Sequence, residues 1–371
     1  KEIKTLVKKR TDFEHRILSR GCKAVNFARY AAWEIGLERL RQRRCKRLGI
    51  KSTTSLSGQA KILQIFDRGT KKHPGDLALW ISYMEYLKAS KANKKLKSIL
   101  TVVIRLHPTE SELWIYAARW ALESEMDMNG ARSYMQRGIR FCTSKSELWI
   151  EYAKLEMIYL AKIQMRRKIL QLDDETPKDG VANSNDPKNE LIFSGLQDMV
   201  SITDFNKETP RLDTSHLDSC VDSEARMDIM KTPALNGGIP IAIFDAAHKQ
   251  SFFCASVAAN FFDMFTTFSQ IYCSTKVLHH VVQNMLECFP ADSATWSCFT
   301  IQPLIGIDQL SPDFPKALRL SLERVKESLQ KTSDKDSYKD LTKDWIKKYF
   351  NIENSDPGIR AVIQHLILEL D

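Results

Sequence analysis

The sequence predicts an all-α fold, an α-solenoid of stacked antiparallel helix pairs, from three observations. The phrase Leu-Trp-Ile occurs at Leu79-Trp80-Ile81, Leu113-Trp114-Ile115 and Leu148-Trp149-Ile150, with the tryptophans 34 and 35 residues apart. That interval is the length of one helix-turn-helix hairpin, whose apolar face is fully buried only when a neighbouring copy stacks on it. Three residues after each tryptophan stands Tyr83, Ala117 or Tyr152, one turn away on the same helical face. Six residues before it stands Pro74, Pro108 or Thr143. A proline has no backbone donor, so it stops the helix that precedes it.

Taken in order, residues 1–54 form basic N-terminal helices that include a degenerate first copy. Phe27, Tyr30 and Glu34 reproduce the spacing of Trp149, Tyr152 and Glu156. Residues 55–172 hold the clearest repeats. Gly75, Thr109 and Ser144 are the expected N-caps, and Thr109-x-x-Glu112 and Ser144-x-x-Glu147 have the spacing of a reciprocal capping box. Amphipathic second helices are expected over 59–71, 93–106 and 129–141, with basic residues near their C-termini, where the helix dipole favours them. Leu87 and Ala121 stand where the first and last copies carry Glu34 and Glu156.

Residues 173–235 read as an acidic, weakly structured insertion. Positions 173–228 carry 14 Asp and Glu against five Lys and Arg, broken by short apolar islands at Leu191-Ile192-Phe193 and Met199-Val200-Ser201-Ile202. Residues 236–371 return to helical repeats after the Asn236-Gly237-Gly238-Ile239-Pro240 break. Helices are expected over 241–248, 252–268 and 276–289, with Val257, Phe261, Phe265 and Phe268 on one core face. Pro290 then precedes Trp296 by six residues, repeating the earlier interval. A loop is expected over 303–315, which holds three prolines, then helices over 316–331 and 341–350, where Trp345 and Tyr349 are four apart. A last helix over 359–370 carries a broad apolar stripe that a missing segment or a partner has to cover.

The order aromatic, x2, aromatic, x3, Glu resembles the half-a-TPR (HAT) repeat family, and no Leu-Gly pair follows the tryptophans as in the ordinary tetratricopeptide repeat. The block Lys8 to Arg16, the stretch Asn26 to Glu34 and the Arg-rich run Glu38 to Leu48 narrow the resemblance to the HAT subunit of the UtpB subcomplex of the small-subunit processome (90S pre-ribosome). That resemblance implies a non-catalytic scaffold in the nucleus and nucleolus, supporting U3 snoRNA-dependent pre-18S rRNA processing. WD40-propeller subunits of UtpB are the implied partners, with backbone contact to pre-rRNA or U3 snoRNA as a further expectation. HAT scaffolds of pre-mRNA splicing and of mRNA 3′-end cleavage share the same solenoid and remain alternatives. The repeat-core anchors are Phe27, Tyr30, Trp80, Tyr83, Trp114, Trp149, Tyr152 and Trp296. Such subunits carry one more N-terminal helix, and the chain begins at Lys1 without a methionine, so a trimmed chain is expected.

Charge is concentrated at one end. Residues 1–50 hold 15 Lys and Arg against five Asp and Glu, a net of +10, more than the +9 of the whole chain. Within nine positions, Arg39, Arg41, Arg43, Arg44, Lys46 and Arg47 wrap around a helix end and cannot all face inward. Three readings are open: a solvated face, an acidic protein partner, or an RNA phosphate backbone. Base-specific readout is not expected, since the aromatics occupy repeat-core positions.

Enzymatic signatures are missing from the sequence. There is no phosphate loop, dinucleotide turn, HExxH pair or nucleophile elbow. His279-His280 with Cys288 is a weak metal motif, because adjacent helical residues point about 100° apart. Neither a metal nor another cofactor is expected. The eight cysteines include no C-x-x-C pair, which favours reduced thiols. No apolar run is long enough to span a bilayer, and no signal peptide is evident.

Overall fold

The computed structural model describes residues 2–49, 55–169, 235–307, 311–332 and 334–350. Among the described residues there are fourteen α-helices, one 3₁₀ turn and no strand, an all-α helical-repeat fold. The chain forms two compact units, Lys1–Ala117 and Ala118–Asp371.

The first unit holds α1 (Glu2–Leu18), α2 (Ala24–Leu48), α3 (Ser55–Lys72), α4 (Leu77–Ala89) and α5 (Asn93–Leu106). The unit boundary falls inside α6 (Ser111–Ser124). Helix α2 lies against α1, α3 and α4, and α4 packs on α3 and α5. Close approach is possible because Gly69 of α3 has no side chain. A Cβ there would stand 2.9 Å from Cγ of Phe27 on α2 and 3.1 Å from a methyl of Leu79 on α4. Gly69→Ala is therefore expected to destabilise the unit by about 1–3 kcal/mol through overpacking, despite alanine's better helix propensity. Urea denaturation of the variant checks this; an unchanged or raised midpoint would show that the helices can move apart freely.

The second unit contains α7 (Met128–Phe141), α8 (Ser146–Ile169), α9 (Gly238–His248), α10 (Ala255–Thr266), α11 (Ser274–Cys288) and α12 (Ser293–Ile301). A 3₁₀ turn (Gln302–Leu304), α13 (Phe314–Lys331) and α14 (Lys335–Phe350) follow. Helix α8 packs on α7, α9 and α10; α10 packs on α11 and α12; α12 packs on α13 and α14. Val257, Phe261, Phe265 and Phe268 are all buried. A further core cluster joins Leu304, Phe314, Ala317, Leu318, Val325 and Ile346.

One turn recurs four times, ahead of Trp80, Trp114, Trp149 and Trp296. At the position seven residues before each tryptophan, the backbone N–H of His73, His107, Cys142 and Phe289 donates to the carbonyl of Gly69, Val103, Gly138 and Met285, ending the first helix. Three residues later, Asp76, Glu110, Lys145 and Asp292 donate back to the carbonyls of those same His73, His107, Cys142 and Phe289, at 3.3 to 3.4 Å. In three copies the indole N–H then closes the turn: Trp80 donates to Pro74 O at 2.9 Å, Trp114 to Pro108 O at 3.0 Å and Trp296 to Pro290 O at 2.8 Å. In the fourth, where Thr143 replaces proline, the buried Trp149 N–H has no hydrogen-bond partner. The ring instead lies 6.4 Å from that of Phe252. The six-residue interval thus has a second cause beyond the helix-stopping proline: it sets the indole over the proline's carbonyl.

Several expected boundaries shift. Asp76, not Gly75, caps α4, its carboxylate accepting from Leu79 N at 3.0 Å. Helices α6 and α8 begin at Ser111 and Ser146, so Thr109 and Ser144 lie one residue too early to act as N-caps. The helix expected over 252–268 is only Ala255–Thr266. In the expected loop over 303–315, a 3₁₀ turn takes up Gln302–Leu304 and Pro315 sits in the first turn of α13, a position where its missing donor costs nothing. Helix α14 starts at Lys335, six residues before the expected start. The acidic stretch from 173 to 234, the final helix over 359–370 and the side chains of Trp345 and Tyr349 lie outside the described residues.

Candidate interface on the basic N-terminal helices

Helix α2 builds the candidate site. Its inner face buries Phe27, Tyr30, Ala31, Glu34 and Glu38. The helix ends at Gly49, whose φ of 67° is left-handed and whose N–H returns to Cys45 O. Lys46 and Arg47 occupy its last turn, where the dipole favours cations.

The six basic candidates divide into two sets. Arg41 turns back onto Glu38, with Nε and Nη2 donating at 2.8 and 2.6 Å. That bond holds the Glu38 carboxyl below the usual carboxylate range. Arg44 pairs with Glu2 of α1 at 2.8 Å, both side chains being exposed. Arg39, Arg43, Lys46 and Arg47 are exposed, and among the described residues none of the four is in an ion pair. At about 100° per residue these four fall within a sector of roughly 100°, away from the buried face. The structure therefore brings four of the six together and assigns the other two to intramolecular pairs.

Behind this face the helices are tied by charge. Arg10 of α1 grips the buried Glu34, Nε and Nη2 donating at 2.7 and 2.9 Å. Arg68 of α3 holds Glu14 of α1 at 2.9 and 3.1 Å, and that bond keeps the Glu14 carboxyl below its usual range. Burial first, then the neighbouring Glu14 charge, push the Tyr30 phenol up to about 12. Phe13 stacks on Tyr30 with ring centroids 5.1 Å apart. In the second unit Arg132 grips the buried Glu156 in the same bidentate manner, both bonds at 2.7 Å.

The eight anchors are all buried: Phe27, Tyr30, Trp80, Tyr83, Trp114, Trp149, Tyr152 and Trp296. The Tyr83 hydroxyl donates to Asp67 at 2.7 Å, and Lys95 holds the other oxygen of that carboxylate at 2.8 Å. Reading the sequence missed the arginine partners of the motif glutamates. The signal was present, since Arg10 and Arg132 each precede their glutamate by 24 residues.

His280 faces Asp245 at 2.7 Å, while Cys288 faces His248 at 3.2 Å, so the residues of the weak metal motif do not converge. Among the described residues, no three His, Cys, Asp or Glu side chains are grouped to hold a metal ion. The seven described cysteines are thiols. Among the described residues, no helix is long and apolar enough to cross a membrane.

Comparison with known proteins points one way. A family model described as U3 small nucleolar RNA-associated protein 6 matches residues 1–64. The protein of that name from Schizosaccharomyces pombe is 32% identical over 210 residues, 55% of this chain and 43% of the relative. The Homo sapiens homolog is 29% identical over 182 residues, 47% of this chain and 30% of the relative. That of Dictyostelium discoideum is 28% identical over 161 residues, 43% of this chain and 26% of the relative. The matched stretch is less than half the length of each of these curated relatives.

Proposed function

On the premise that the chain is a relative of the U3 small nucleolar RNA-associated protein 6 family, we propose that it is a non-catalytic scaffold subunit in U3 snoRNA-linked ribosome biogenesis, working in the nucleolus. Its partners in this reading are WD40-propeller subunits, held by the helical repeats. The basic residues 1–54 and the repeats over 55–172 and 236–371 do the holding, and the acidic stretch 173–235 divides them. Contact with a pre-rRNA or U3 snoRNA backbone is secondary to protein contact.

The observation that supports this most is the fourfold turn. Each copy fixes the junction between two helices by the same backbone bonds, and three add the same indole-to-carbonyl bond. Pre-set junctions suit a surface that must present one shape to a partner, because little ordering entropy is lost on binding. Purification of the tagged full chain, with identification of bound protein and RNA, tests the reading. WD40-propeller proteins and U3 snoRNA are expected, the proteins remaining after ribonuclease treatment. Recovery of splicing or 3′-end cleavage factors in their place would overturn it.

A further inference from the structure

The exposed face of α2 carries more than charge. Val25 and Leu40 are each 51% exposed, and Ala32 is exposed beside Gly36, where an added Cβ would meet nothing within 4 Å beyond the adjoining backbone of its own helix. At about 100° per residue these positions share a sector of roughly 120° with Arg39, Arg43, Lys46 and Arg47. The face is thus ordered along the helix. Its first half, from Val25 to Gly36, sets Val25, Ala32 and Gly36 around one exposed cation, Arg29, and its second half, from Arg39 to Arg47, carries four cations around the single apolar side chain of Leu40.

We propose that this face of α2 seats an amphipathic helix of a partner protein, with small apolar residues against the Val25–Gly36 half and Asp or Glu against the Arg39–Arg47 half. The inference rests on the scaffold reading and names the kind of partner segment that reading requires. Two helices pack at an interaxial distance of about 8–10 Å, the shorter end requiring small residues at the interface. Ala32 and Gly36 supply that relief one helical turn apart. Charge complementarity sets the direction of the incoming helix, since four cations stand in the second half against the single Arg29 of the first. A phosphate backbone would use Arg29 and the four later cations but would gain nothing from Val25, Ala32 and Gly36.

Zero-length carbodiimide coupling, which joins a lysine amine to a carboxylate, tests this on the full chain within its purified assembly. Lys46 is expected to couple to Asp or Glu of a partner subunit, in a peptide whose acids recur at i, i+3 or i+4. Gly36→Leu is expected to lower that coupling about tenfold, equivalent to one decade of affinity, while leaving the circular dichroism unchanged. Arg43→Glu should act in the same direction. Coupling that survives Gly36→Leu undiminished would overturn the proposal, because a bulky side chain blocks a helix and not a diffuse charge. Light-induced linkage of α2 to RNA, with no coupling of Lys46 to protein, would overturn it in favour of a phosphate backbone. If subunits co-purify and no coupling forms, the proposal alone fails; if no subunit co-purifies, the scaffold reading fails with it.

Discussion

Arg132→Ala is expected to destabilise the α7–α8 hairpin by about 3–5 kcal/mol, because it leaves a fully desolvated carboxylate without its countercharge. Glu156 is 1% exposed and receives both of its strong bonds from that one guanidinium. The guanidinium also lies 5.1 Å over the Tyr159 ring, and the alanine variant has no cation to place there. Removing both partners should cost far less. At the equivalent position the second and third copies carry Leu87 and Ala121, both buried, so the repeat tolerates an apolar residue there. Arg132→Met with Glu156→Leu is expected to fall within about 1 kcal/mol of the parent. Chemical denaturation of the two singles and the double gives the coupling directly. A single variant costing under about 1 kcal/mol would mean that water reaches Glu156 once the arginine is gone.

Trp114→Ala should cost about 3–5 kcal/mol, the range for truncating a large buried ring. Trp114 is buried and its indole N–H donates to Pro108 O at 3.0 Å, so the substitution removes both core volume and the bond that closes the turn. Phenylalanine separates the two contributions. Trp114→Phe loses the bond to the Pro108 carbonyl, adding about 1 kcal/mol to the loss of ring volume. Trp149→Phe has no such bond to lose, since its N–H is already unpartnered, and should be the milder of the two. Thermal melts of both variants check the ranking; equal losses would show that the indole bond contributes nothing.

The all-α class and the positions of the rings were legible because they depend on a period, and a period survives substitution at single sites. Trp296 was reachable from Pro290 for that reason, although the Leu-Trp-Ile phrase is absent there. Helix starts were less legible. Gly75 and Asp76 are adjacent and both acceptable caps, and only backbone geometry decides that Asp76 takes the role. The split among the basic residues was hidden as well. Arg41 has a glutamate three positions back, a helical neighbour that the sequence displays, but Arg44 pairs with Glu2 through a fold that brings α1 alongside. The missing bond at Trp149 could not be read at all, because the ring beside it, Phe252, lies far along the chain.

The pairing of α8 with α9 has a kinetic consequence. Helices α7 and α8 are joined by the four residues 142–145, whereas Ile169 and Gly238, the facing ends of α8 and α9, are separated by the 68 residues 170–237. Contacts between near neighbours form quickly, and distant ones wait for a slower search. Refolding should therefore be biphasic in this region: the α7–α8 corner zips early, and the arrival of α9 on the flank of α8 sets the pace at which Trp149 and Tyr152 acquire their final covering.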